Sequence, residues 1–128
     1  MLASGVACRP GHPTLLARRG AQLIVGAPGN PFAAHVALHS FVAPAVAAFT
    51  GLSSVDAVLR SGVCGAAVEP LDRDRVRLIP ATLGADRVST PVDGAHSHML
   101  TGYATGDVLL VVPAAGLSAG DPVEFLEL

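Results

Sequence analysis

The sequence predicts a mixed α/β and β chain, with a strand–loop–helix segment over residues 1–51 followed by a small β-barrel over residues 52–128. Three observations carry this. A short apolar strand runs into a Gly- and Pro-rich loop and then a capped helix at Gln22–Phe49. From Leu52 onward, short β-branched pieces recur between turn residues, the texture of a small barrel or sandwich. The charge also divides: no Asp or Glu precedes Asp56, while all ten acids lie from Asp56 onward. At 51% hydrophobic and 4% aromatic residues, the core must be built from Val, Leu and Ala, which bury less area per side chain than large rings do.

Gly5–Cys8 reads as the end of a strand, cut off by Arg9-Pro10-Gly11-His12-Pro13, where two prolines around a glycine leave a shaped loop. Arg18-Arg19-Gly20 is a turn. Gln22–Val25 is a nearly all-apolar strand, as expected when both faces of a sheet are covered. Asn30 is a favoured N-cap and Pro31 a favoured first helical residue, so the helix starts there. Pro44 forces a kink or a break, and Thr50-Gly51 supplies the stop. A helical turn is expected at Val55–Leu59. Strands are expected at Val63–Val68, Val76–Thr82, Arg87–Val92, Val108–Val112 and Val123–Leu126, with a helical turn at His98–Ala104 and a chain reversal at Gly116–Pro122.

Several function classes are excluded. A formal net charge of −2 does not suit a nucleic-acid binder. Phe32–Phe49 is apolar but interrupted by His35, His39, Ser40 and Pro44, which favours a buried helix over a membrane span and a cytoplasmic location. Cys8 and Cys64 are distant and form no metal knuckle, and no export signal is present.

The chemistry concentrates at the front. A strand, a glycine loop and a capped helix at Val25–Ala33 can present unpaired N–H groups to an anion, usually phosphate. Alone, such a loop is better explained as a tight turn; its acid-free surroundings, with Arg9, Arg18 and Arg19, bring a ligand site level with that reading.

Arg9-Pro10-Gly11-His12-Pro13, then an apolar strand and Gly26-Ala27-Pro28-Gly29-Asn30-Pro31, is similar in order to the molybdopterin molybdenumtransferase family, which includes MoeA and the gephyrin E domain. The family pattern is Lys-Pro-Gly-Lys-Pro followed by Gly-Leu-Pro-Gly-Asn-Pro. The resemblance continues through Phe41-Val42-Ala43-Pro44, Ala95-His96-Ser97-His98 and the closing Leu117–Glu124, and so covers nearly the whole chain. It implies that residues 1–51 are the C-terminal part of a MogA-like α/β domain that holds the phosphate end of molybdopterin or adenylated molybdopterin, and that residues 52–128 are the family's β-barrel. It assigns Arg9, His12, Gly26, Pro28, Gly29, Asn30, Pro31 and Ser97 to binding that substrate. The implied parent reaction is transfer of molybdate to the dithiolene, with release of AMP.

The departures have consequences. Arginine for the first lysine keeps charge and adds a fork suited to phosphate. A free imidazole, with a pKa near about 6.5, makes His12 the weaker donor. Ala27 and His96 stand where the family has leucine and glycine. The acidic segments through which the family handles magnesium or molybdate are not in this sequence, and a hard cation needs oxygen ligands. The expectation is an incomplete C-terminal fragment whose catalytic competence is open. It is either a piece needing an N-terminal complement, a homodimerising assembly module, or an inert truncation, with open strand edges as an aggregation liability.

Three other constellations carry less. His35 and His39 lie one helical turn apart, a spacing that can hold a metal, but packing against neighbours explains them better. Ser97 with His96, His98, Asp93 and Asp107 lacks a nucleophile elbow. Arg73, Arg75 and Arg77 alternate on one strand face among Asp72 and Asp74, which reads as a solvated strand entry.

Overall fold

A computed structural model describes residues 1–52, 59–71, 74–92 and 100–128. The expected turn at Val55–Leu59 falls almost wholly outside these residues.

The front of the chain forms strands β1 (Ala3–Ser4), β2 (Cys8–Arg9), β3 (Leu15–Arg19) and β4 (Gln22–Gly26). Gly20 closes a tight turn, so β3 and β4 pair antiparallel, from Leu15 opposite Gly26 to Arg19 opposite Gln22, and β1 adds to β3. The parallel sheet that the resemblance to a MogA-like α/β domain implies is not formed by these strands, because a two-residue connection can only return the chain antiparallel. Nor are both faces covered, since Ile24 is exposed and β4 is an edge of this three-stranded sheet.

The helix begins where the sequence places it. The Asn30 side-chain oxygen accepts from the Ala33 N–H at 3.2 Å, and Pro31 is the first residue of α1 (Pro31–Ala37). Pro44 has no N–H to give, and its ring conflicts with the carbonyl one turn back. The chain responds with a wide π-helical turn over Leu38–Val42, in which the Ala43 N–H reaches back to Leu38, before α2 (Ala43–Phe49). Gly51, at φ +74°, ends the helix, with the Leu52 N–H closing onto the Ala47 carbonyl at 3.0 Å.

The second part is a closed five-stranded barrel of β5 (Arg60–Cys64), β6 (Val76–Leu83), β7 (Val88–Pro91), β8 (Val108–Val112) and β9 (Pro122–Glu127). Closure runs β6-β7-β5-β9-β8 and back to β6; every contact is antiparallel except β5–β7. Arg87 belongs to the β6–β7 turn, where it and Asp86 take positive φ, and not to the strand as expected. The expected strand at Val63–Val68 stops at Cys64, and Val68 makes only an isolated bridge to Leu117. A short helix α3 (Leu100–Thr105) precedes β8.

Two apolar clusters share the strands. Cys64, Ala81, Val108, Leu110, Val112, Val123 and Phe125 fill the barrel. On the outer face of the same strands, Leu78, Leu109 and Leu126 pack against Phe32 and Val36 of α1. Alternation along β8 sends its side chains to both clusters in turn, which is why this strand is apolar throughout. The helix is therefore buried only over α1. No residue of α2 is buried, and Val46 and Phe49 are exposed, which corrects the expectation of a buried helix along its whole length. Pro31–Phe49 is long and apolar enough to cross a membrane by length and composition alone, but Phe32 and Val36 are committed to the barrel.

Leu109 is fully enclosed between α1 and the barrel wall. Leu109→Ala is expected to cost about 2–5 kcal/mol of stability, read as a lower urea midpoint with an unchanged slope.

Candidate functional site

The Arg9–Pro13 segment is held by its own backbone. Val6 N–H bonds to the His12 carbonyl at 2.9 Å, Gly5 N–H to Thr14 at 3.1 Å, and Thr14 N–H to Gly11 at 2.9 Å. Thr14, fully buried, adds its hydroxyl to the Gly11 carbonyl at 2.7 Å. Gly11 sits at φ +118°, a conformation that calls for glycine, and a Cβ there would also press on Cys8 Sγ at 3.2 Å. The Arg9–Pro10 peptide bond is cis.

This loop forms one wall of a cleft of about 540 Å³. Cys8, Arg9, Pro10, Gly11, His12 and Pro13 line it from one side, Pro28, Gly29, Asn30 and Ala33 from the second, and Leu71 and Arg75 from the barrel. Arg9, His12, Pro28, Gly29 and Asn30, separated in sequence, thus converge. Gly26 and Pro31 do not line the cleft. A Cβ on Gly26 would lie 3.2 Å from that of Leu15, so this glycine serves the β3–β4 packing, while Pro31 starts the helix. Gly29 has open space around it, so a larger residue would fit there. Ser97, with His96 and His98, lies outside the described residues.

The expected source of positive potential needs correction. Pro31 has no N–H, the Ala33 N–H is taken by the Asn30 side chain, and the Ala34 N–H by the Asn30 carbonyl at 2.9 Å. The helix start thus has two fewer free amides than its sequence suggests, and the guanidinium groups supply the charge. His12 Nδ1 lies 2.8 Å from the Val6 carbonyl, which fixes the proton on that nitrogen. A neutral His12 then has only a lone pair at Nε2, and it can donate to an anion there only when protonated.

Arg75 is the residue that sequence reasoning missed. The sequence suggests a solvated strand entry, but Arg75 reaches the cleft from the position just before β6. The usable signal was its alternation with Arg77, which puts both on one face of a strand that enters the barrel. Arg77 is half-buried, donates through Nη2 to the Glu69 carbonyl, and has its Nε buried without a partner. Burial lowers its pKa, as does the positive charge of Arg9, with Glu69 acting in the opposite sense. Burial pushes the Cys8 thiol up, so it stays a thiol, and both cysteines are free.

His35 and His39 meet α3 rather than a metal. Tyr103 OH and His39 Nε2 are 2.5 Å apart, and the His35 ring lies over Tyr103 with centroids 4.6 Å apart. Among the described residues, no group of three or more His, Cys, Asp or Glu could hold a metal ion. Asp107 Oδ2 accepts from the Leu83 N–H at 2.9 Å, a structural task that explains this carboxylate without a triad.

Residues 66–128 match the family model described as the MoeA C-terminal region (domain IV). These residues belong to the MoeA family. The fold of the whole chain is similar to a molybdenum cofactor biosynthesis protein from Pyrococcus furiosus, at a TM-score of 0.75 and 21% identity over 99% of this chain and 45% of that one. It is also similar to a molybdopterin biosynthesis MoeA protein from Pyrococcus horikoshii, at 0.75 and 18% over 99% of this chain and 32% of that one. A further Pyrococcus horikoshii MoeA structure gives 0.74 and 21% over 96% and 30%. The chain therefore spans less than half the length of these three structures. No curated protein matches by sequence.

Burial, with the neighbouring His35, lowers the pKa of His39 below that of a free histidine. The unfolded chain then binds the proton more readily, so this contribution to stability is present above about pH 6.5 and is lost as pH falls towards the folded-state value. Melting temperature is expected to drop between about pH 7 and pH 5, and less steeply in His39→Gln.

Proposed function

We propose that this MoeA-type chain holds the phosphate end of molybdopterin, or of adenylated molybdopterin, during molybdenum cofactor biosynthesis. The carrying observation is the convergence of Arg9, His12 and Arg75 with the Pro28–Asn30 loop on one cleft. Arg9 and Arg75 present forked donors that match phosphate oxygens, and His12 adds a donor when protonated. Asn30 holds the helix start in place. Ser97 is assigned to the pterin side on the family resemblance alone. The division at residues 51 and 52 and a cytoplasmic location belong to the same reading.

The residues do not fit a magnesium site. No Asp or Glu lines the cleft among the described residues, and its polar side chains are chiefly nitrogen donors. What the chain does is bind and orient. Insertion of molybdenum into the dithiolene, the transferase step of the parent reaction, needs carboxylates from elsewhere.

A second reading, a non-catalytic assembly module, is favoured by the uncovered α2, where Val46 and Phe49 are exposed, and by the open β4 edge. An N-terminal complement or a second copy of the chain would cover them.

Calorimetric titration of the chain with AMP and with molybdopterin tests the first reading. Both are expected to bind, and Arg9→Ala is expected to lose about tenfold or more in affinity. Equal binding by the variant removes Arg9 from the site. Size-exclusion with and without the complementary region tests the second, with complex formation but no turnover as its expected result.

A further inference from the structure

We infer that Arg77 is a positioning residue for the anion cleft: set beside Arg9 across the β2–β6 seam, it makes closure of that seam depend on a bound polyanion of the diphosphate type. The inference rests on the anion-binding reading and goes beyond it, because Arg77 does not itself line the cleft.

The seam is short. β2 meets β6 through two residue pairs, Cys8 with Val76 and Arg9 with Arg77, supported by the Val76 N–H to Ala7 carbonyl bond of 3.1 Å. Directly paired residues on neighbouring strands share a face, so the register puts two guanidinium groups on the same side of the sheet. Arg75, two residues earlier, lines the same cleft as Arg9.

Arg77 is anchored in this position. Its Nη2 is held by the Glu69 carbonyl, and its Nε is buried with no partner. The positive charge of Arg9 acts on it unfavourably. Among the described residues the one ion pair, Arg60 with Glu127, involves none of Arg9, Arg75 or Arg77.

Like charges repel, and more strongly where one of them is withdrawn from water, as the half-buried Arg77 is beside the exposed Arg9. In the free chain this repulsion works against the two-residue seam. An anion between Arg9 and Arg75 reverses the sign, and because binding then favours the closed seam, ligand and closure are coupled. Several cations on one face suit a ligand that carries more than one phosphoryl group.

The test is amide exchange at Val76 in the full 128-residue chain, with and without inorganic pyrophosphate, and with inorganic phosphate as the comparison. Pyrophosphate is expected to slow exchange at Val76 about tenfold or more in the unsubstituted chain, and phosphate to do so less. In Arg77→Gln, which keeps a donor for the Glu69 carbonyl but removes the charge, exchange is expected to be slow already and to change less than about threefold with ligand. Arg77→Lys, which keeps the charge, is expected to restore the full response. A wild-type-sized response in Arg77→Gln, or none in Arg77→Lys, overturns the inference; if Arg9→Ala still abolishes binding, the anion-site reading survives. Failure of the unsubstituted chain to bind either anion overturns both.

Discussion

The contact on which the rest of this molecule depends is the packing of Phe32 and Val36 against Leu78, Leu109 and Leu126. It fastens the first turns of α1 to the outside of the barrel. Because Asn30 caps that helix, the same contact decides where the Pro28–Asn30 loop stands relative to the barrel. Arg75 can then approach the loop from a strand some 45 positions later in the chain. The cleft is thus built at a junction, with one wall from each part. Removing apolar area at the junction would disturb the site without touching any group that lines it. Burying these side chains is worth on the order of 1.5–3 kcal/mol each, which is large against the marginal stability of a small domain.

Much of this architecture was legible in the residues. Asn30-Pro31 fixed the helix start, because cap chemistry is local. Pro44 located the disturbance in the helix, although not its form as a π-helical turn, since several geometries can relieve a missing N–H. The apolar run Val108–Val112 was placed correctly as a strand. What could not be read was pairing. Gln22–Gly26 is apolar enough to sit in a covered parallel sheet, yet the short turn at Gly20 pairs it antiparallel and leaves Ile24 exposed. Apolar content reports what a strand could bury, and the connection length decides which neighbour it meets.

The site shows the same division. Residues of the two Gly- and Pro-rich segments stood out as motifs and converge in space. Arg75 did not, because its neighbours Asp72 and Asp74 suggest a solvated strand end, and its role arises only once β6 is brought beside the loop. The helix start promised more than it delivers: the asparagine that makes it recognisable also takes two of its amides. Cap residues and anions compete for the same donors, so a well-capped start is a poorer receptor than its sequence suggests.

β8 illustrates a different problem, that of choosing between two alignments. Val108, Leu110 and Val112 face inward, and Leu109 and Val111 outward, so sliding the strand by one residue would exchange one greasy set for another. In a half-solvated strand, polarity forbids that slip; here it cannot. The safeguard lies at the strand's entrance, where Asp107 accepts the Leu83 N–H through its carboxylate, gives its own N–H to the Ala81 carbonyl, and offers its carbonyl to the Leu128 N–H. A charged residue that does no chemistry thereby acts as the index mark against which the most uniform segment of the chain is aligned.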